Sequence, residues 1–228
     1  MKKVKLGEIA KIDISNVDKK TKENEDSVFL CNFVDVYKNW AITKEMCPSF
    51  MKATANKNQI SRFSLFKGQV AITKDSETRE DIGIPTYIAD DLPNTVLGYH
   101  CVLLTPNQEL LYGKYLNLLL HSQYAQDYFE KNASGSGQRY TLTNDIVFDF
   151  PVLLHNLDIQ KRISKIFTAI DRKLMLNTKI INELEAMAKL IYNYWFVQFD
   201  FPDENNRPLF SRIFARISNP FRLAVQYV

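Results

Sequence analysis

The sequence predicts an α+β protein, with one mixed α/β domain followed by a long coiled-coil helix. Three observations carry this. Short β-branched and aromatic runs bounded by Gly, Pro, Asn and Asp recur through the first 150 residues, as strands do. One stretch among them, "LLYGKYLNLLLHSQYAQDYFEKNASGSG", repeats large apolar side chains at three and four, the spacing of a helix face. From Asp158 onward the period becomes seven and persists for five heptads, as in a coiled coil.

The strand-like runs are "QVAITKDS" (69–76), "IPTYIAD" (84–90) and "YHCVLLTP" (99–106). The helix among them is marked by Leu116, Leu119 or Leu120, Tyr124 and Tyr128, and Asn132 with Gly135 ends its pattern. "ASGSGQRY" then reads as a hinge or exposed loop, and "QRYTLTNDIVFDFPVLL" returns to strand-like composition and closes the domain near Pro151.

In the heptad region, Ile159, Ile166, Lys173, Ile180, Met187 and Tyr194 interleave with Ile163, Ile170, Asn177, Leu184 and Ile191 to form one seam. A helix over 159–197 would span roughly 58 Å at about 1.5 Å per residue, longer than the domain before it, and so calls for a partner helix. Lys173 and Asn177 place polar residues mid-seam, where they can fix register and orientation at some cost in stability. Phe167, Leu174, Leu176 and Ile181 widen the stripe, so contact with more than one neighbour is expected, and a helix lying on its own domain stays open. The pattern ends in an aromatic cluster that includes Tyr192, Tyr194, Trp195, Phe196, Phe199 and Phe201.

At 46% apolar and 24% charged residues, the composition is that of an ordinary soluble protein. No apolar run approaches the ~18–20 residues of a spanning helix, and "MKKVKLGEIA" lacks a signal-peptide core, so a cytoplasmic protein without a membrane partner is expected. Cys31, Cys47 and Cys101 are odd in number and far apart, which points to packing rather than disulfides or metal. The net charge of +3 comes from the tail: residues 1–150 carry 18 basic and 19 acidic side chains, residues 151–206 carry 7 of each, and residues 207–228 carry 4 Arg and no acid. DNA binding by the body would therefore need a local basic face, because charge is screened within ~8–10 Å.

Catalytic patterns are missing. His100, His121 and His155 stand alone, no metal-ligand spacing is present, and the glycine-rich "ASGSGQRY" has no G-K-[ST] after it. Asn219-Pro220-Phe221 lacks the second proline and the cofactor loop that a base-gripping methyltransferase motif would need. Asp75, Glu77, Glu80 and Asp81 read as carboxylates of a solvated loop. What remains is a binding surface of polar loops, "AITKDSETREDIG" (71–83), "SGSGQRYTLTND" (134–145) and "VYKNWAITKE" (36–45), rich in side chains that hold phosphates and read base edges.

"LGEI", "GQVAITKDSETREDIGIP", "GYHCVLLTP", "GSGQRYTLTNDIVFDFPV" and the helix ending "NYWFVQFDFPDENNRP", taken together, resemble the specificity subunit of type I restriction-modification systems over about residues 1–208. The resemblance implies a target recognition domain (1–154), a conserved spacer and dimerisation helix (155–201) and a non-conserved tail (202–228). Such a subunit carries two recognition domains and two antiparallel helices, so this chain looks like half of one. The implied partners are double-stranded DNA, the modification (methyltransferase) and restriction subunits, and a second copy of the chain. Catalysis is expected elsewhere, with S-adenosylmethionine, ATP and Mg belonging to the partner subunits and no cofactor or metal in this chain.

Expected DNA contacts are Lys74, Ser76, Thr78, Arg79, Arg139, Tyr140 and Thr141, with Lys38, Asn39 and Lys44 as secondary candidates. Helix pairing is expected through Ile159, Ile163, Ile166, Ile170, Lys173, Asn177, Ile180, Leu184, Met187 and Ile191, and partner docking through Tyr194, Trp195, Phe196 and Phe199. The tail "LFSRIFARISNPFRLAVQYV" departs from the family, and Pro220 interrupts the amphipathic period a membrane-surface segment would need. A fragment that reads no DNA, and acts as a coiled-coil interaction protein or competes for the modification subunit, is the alternative.

Overall fold

The computed structural model describes residues 2–136, 139–197 and 204. In chain order the first elements are β1 (Lys2–Lys5), α1 (Leu6–Ile9), β2 (Ala10–Ile14), β3 (Asp26–Cys31), α2 (Phe33–Lys38) and β4 (Ala41–Ile42). A 3-10 turn at Lys44–Ser49 leads to β5 (Met51–Ala55), α3 (Lys57–Phe63), β6 (Val70–Thr73), β7 (Asp75–Ser76), β8 (Pro85–Ile88), β9 (Thr95–Leu97) and β10 (Cys101–Pro106). Then come α4 (Gly113–Leu120), α5 (Gln123–Asn132), β11 (Ser134–Ser136), β12 (Arg139–Thr141), α6 (Asn144–Phe148), β13 (Pro151–Leu154) and α7 (Leu157–Tyr192). The chain divides into two compact units, residues 1–167 and 168–228.

The first unit is mixed α/β, built on a five-stranded sheet in the order β2-β10-β6-β8-β4. Its two central strands show the period of two that a sheet with both faces covered requires. Val70, Ile72, Val102 and Leu104 point into one core, whereas Ala71, Cys101 and Leu103 point into the other. Helices α4 and α5 and the Phe129–Phe150 ring stack, with centroids 5.3 Å apart, fill the first core. The second core lies under the small sheet β5-β3-β9 and holds all three cysteines, which are free and buried, as packing residues should be. The pairing of β1 with β13, Lys2 opposite Leu154 through Lys5 opposite Pro151, ties the first strand to the last of this unit.

The expected single helix at 110–132 is two helices. Its period continues through both, but Ser122 is extended (φ −74, ψ 152) and its hydroxyl bonds back to the Leu119 carbonyl at 2.5 Å, so α4 stops and α5 restarts at a new angle. Gly113 opens α4 against Gly68, where an added Cβ would sit 1.9 Å from the Gly68 carbonyl oxygen. The supposed loop "ASGSGQRY" contains the hairpin strands β11 and β12, and "QRYTLTNDIVFDFPVLL" contains α6, capped by the Thr143 hydroxyl. Helices α2 and α3 start at capping boxes, Asn32 with Asp35 and Asn56 with Gln59. At six and seven residues they are too short for periodicity to announce.

Helix α7 belongs to the first unit as far as Phe167 and to the second from Thr168. Its start is pinned by Gln160, fully buried, whose amide donates to the Leu110 and His155 carbonyls and accepts from the Tyr112 N–H at 2.8 Å. Ile163 packs on the first unit's own core, while Ile166 is 65% exposed. In the second unit, Ile170, Ile180, Leu184, Met187 and Ile191 are all exposed on the helix, which passes into a wider π turn at Asn193–Val197. Among the described residues no helix is long and apolar enough to cross a membrane.

Burial of His121 against Trp40, with ring centroids 3.9 Å apart, pushes its pKa down to about 4. The folded protein thus resists a proton that the unfolded chain accepts near pH 6.5, so stability falls as pH drops from about 6.5 to about 4. Urea denaturation across this window should show a loss of up to about 3 kcal/mol for the wild-type protein, and a flatter profile for His121→Phe.

Candidate nucleic-acid interface

Seven of the ten polar residues expected to meet DNA gather around β7, which follows β6 of the central sheet. Strands β11, β12 and β7 form a small antiparallel sheet with Tyr140 opposite Ser76 and Thr141 opposite Asp75. Lys74 links it to the core: its N–H donates to the His100 carbonyl at 2.7 Å, and its carbonyl accepts from the buried Leu142 at 2.8 Å. The two separated loops of the sequence are therefore neighbouring strands of one surface.

Asp75 is the hub of that surface. It is only 8% exposed, and its carboxylate meets Lys74 Nζ at 3.5 Å, Arg139 at 3.5 Å and the His100 Nδ1 in a short contact. Burial alone would push its pKa up, but hydrogen bonds from Thr141 and His100 and the nearby Lys74 charge hold it below the usual carboxylate value. His100 adopts a left-handed backbone conformation (φ +69), which among non-glycine residues asparagine, aspartate and histidine enter most readily, immediately before β10. Lys74 also approaches the Thr141 hydroxyl at 3.4 Å.

Beside this network lies a cleft of about 480 Å³. Arg139, His100 and Asp75 line one part of it, and Phe33, Tyr37 and Asp81 another. The rings of Phe33 and Tyr37 stack with centroids 5.9 Å apart, and the Tyr37 hydroxyl donates to Asp81 at 2.7 Å. On the same sheet, the Arg79 guanidinium lies 4.9 Å from the Tyr140 ring centre, and the Thr78 N–H is received by the Ser76 hydroxyl.

Ser76, Arg139, Tyr140 and Thr141 thus lie on one sheet, with Lys74 immediately before its strand β7 and Thr78 and Arg79 in the turn after it. Lys38, Asn39 and Lys44 are not among them. Lys38 ends α2 one residue after Tyr37, Asn39 spends its amide on the Asp35 carbonyl, and the Lys44 N–H bonds to Asp90. Trp40, which lies between these lysines in sequence, packs against His121 with the two rings tilted by 37°. Tyr194 and Trp195 are partly exposed in the turn after α7, at 38% and 40%, whereas Phe199 and the tail lie outside the described residues.

Two sequence readings are corrected here. Asp75 is a buried hub and not one carboxylate of a solvated loop, and His100 is bound to it rather than isolated. The available signal was indirect. Once Cys101 pairs with Thr73, the preceding His100 must face the following Lys74 and Asp75.

Asp75→Asn should therefore destabilise the protein by about 1–3 kcal/mol at neutral pH, since it leaves three cationic or donor groups facing a neutral amide. A carboxyl group with a lowered folded pKa stabilises above about pH 4 and loses that contribution as pH falls through its folded value. The difference between the two proteins in chemical denaturation should accordingly shrink below about pH 4.

Residues 1–186 match the family profile of the type I restriction modification DNA specificity domain. The chain is 33% identical over 126 residues to the type I restriction enzyme HindI specificity subunit of Haemophilus influenzae, covering 55% of this chain and 28% of that protein. Its fold is similar to that of the type I restriction-modification S subunit from M. genitalium (TM-score 0.58, 13% identity, 90% of this chain and 46% of that one). It also resembles the HsdS subunit from Thermoanaerobacter tengcongensis (TM-score 0.53, 16% identity, 86% and 44%). The chain spans less than half the length of each of these relatives. With a family match covering most of its length, this chain belongs to the type I restriction modification DNA specificity domain family.

Proposed function

We propose that this chain is a sequence-reading specificity subunit of a type I restriction-modification enzyme, in which residues 1–154 recognise one half of a bipartite DNA site. The observation that carries the reading is the gathering of Ser76, Arg139, Tyr140 and Thr141 onto one small sheet, with Lys74 just before it and with Ser76 and Arg139 lining a cleft, in a chain of this family. That arrangement sets Lys74, Arg79 and Arg139 among hydrogen-bonding side chains beside the carboxylates of the cleft, on a body whose charges nearly balance.

The chain acts without chemistry of its own. Adenine methylation and DNA cleavage belong to modification and restriction subunits, which hold S-adenosylmethionine, ATP and Mg. Residues 155–201 form the spacer, and the aromatic end around Tyr194, Trp195, Phe196 and Phe199 docks the modification subunit, because large aromatic side chains suit the centre of a buried interface. Residues 202–228 are a tail outside both roles.

A second copy completes the half-subunit by antiparallel pairing of α7. The exposed stripe of Ile166, Ile170, Ile180, Leu184, Met187 and Ile191 is the surface this pairing would bury. Two-fold pairing sets Ile159 near the partner's Tyr194 and brings Lys173 and Asn177 towards the axis. Helix length then fixes the gap between half-sites, at about 3.4 Å per base pair.

Methylation sequencing tests this in cells that express the chain with its modification subunit and no other specificity subunit. A new adenine mark at a palindromic split site is expected. Absence of any mark, with the modification subunit still co-purifying, would contradict target recognition and identify a competing fragment. Ile180→Asp should abolish the mark by separating the helices while leaving the first unit folded.

A further inference from the structure

The geometry points to a G·C base pair as the element read in the cleft, with Arg139 as the reading side chain and Asp75 and His100 as the residues that position it; this rests on the proposal that the β7–β12 face meets DNA. Arg139 is 61% exposed, yet one end of its guanidinium is held. Its Nη2 lies 3.5 Å from Asp75 Oδ2, 2.9 Å from His100 Nδ1 and 3.3 Å from His100 Nε2. Nη2 thus sits against both the buried Asp75 carboxylate and the His100 ring, which itself meets Asp75 through Nδ1, so two side chains hold one end of the guanidinium. Asp75 in turn is fixed by the β7–β12 register and by Thr141 and Lys74. A side chain anchored at one end loses less freedom on binding than a free arginine, which suits reading more than loose phosphate attraction.

The charge of the cleft selects what enters it. Its lining includes Asp75, Glu77 and Asp81 against the single guanidinium of Arg139. Carboxylates repel a phosphate backbone but accept hydrogen bonds from exocyclic amino groups. A guanidinium fork needs two adjacent acceptors, and on the major-groove edges of the bases only guanine offers them, at O6 and N7. The paired cytosine presents its N4 amino group, the donor that a carboxylate such as Glu77 or Asp81 accepts. Arginine and carboxylate on one cleft thus match both halves of a G·C pair. An A·T pair offers no second adjacent acceptor to the fork.

The test is selection from a randomised duplex DNA library by the full chain, alone and assembled with its modification subunit, followed by sequencing of the retained DNA. The expected result is a motif with a G·C position whose preference falls by about 5- to 150-fold in Arg139→Lys, which keeps the charge and loses the fork, while other positions persist. His100→Gln and Asp75→Asn should weaken that same position and leave the others. This position-specific loss is a readout that general destabilisation would not produce. An unchanged motif in Arg139→Lys, or relaxation at an A·T position, would overturn the assignment of Arg139. Uniform loss of every position in a folded His100→Gln protein would overturn the positioning role. A wild-type chain that selects no motif in either form would overturn the DNA reading itself, a failure distinct from the other two.

Discussion

The antiparallel pairing of β10 with β6 is the constraint on which the candidate site depends. It sets Cys101 opposite Thr73 and Leu104 opposite Val70, and so sorts alternate residues of both strands into two separate cores. A shift of one residue would exchange those two sets and expose neither core correctly. The same register holds the ends of the strands together, where the Lys74 N–H meets the His100 carbonyl. Asp75 is thereby carried against the His100 ring, and β12 adds to β7 with Thr141 opposite Asp75. Hydrophobic packing in the middle of the sheet thus dictates the placement of a polar network at its edge.

That network concentrates charge in an unusual way for a surface. Its single buried carboxylate gathers a lysine, a histidine and an arginine, and such burial is tolerated because each oxygen is matched by donors. Asp13, on the edge strand β2 of the five-stranded sheet, shows the same economy with Lys11 at 2.8 Å and Arg62 at 2.9 Å, where burial pushes the carboxyl up but these hydrogen bonds hold its pKa down. The Asp75 network, in addition, lines a cleft. The difference makes one a structural clasp and the other a candidate for recognition.

The long elements and the strand composition were legible in the sequence. Runs 69–76, 84–90 and 99–106 contain β6 with β7, β8 and β10, and the heptads from Ile159 lie on α7. Short elements were not legible, because α2, α3 and α6 are defined by caps and tertiary burial instead of a repeated period. The break between α4 and α5 was hidden for a similar reason, since the apolar spacing survives across Ser122. At the site, residue types in loops pointed to Lys74, Arg139 and their neighbours, but Asp75, His100, Tyr37 and Asp81 act through contacts 25 to 44 positions apart in the chain. Only strand pairing brings them into reach.

The central claim is that DNA is read at the face built by β7, β12 and the Phe33–Tyr37 wall. Photocrosslinking tests it most directly: the chain, assembled with its modification subunit, is irradiated on duplex DNA in which thymine is replaced by 5-bromouracil, and the attached peptides are identified. The account predicts adducts within residues 33–37, 74–79 and 134–141. Adducts confined to other segments of the first unit, such as residues 107–120, would contradict it.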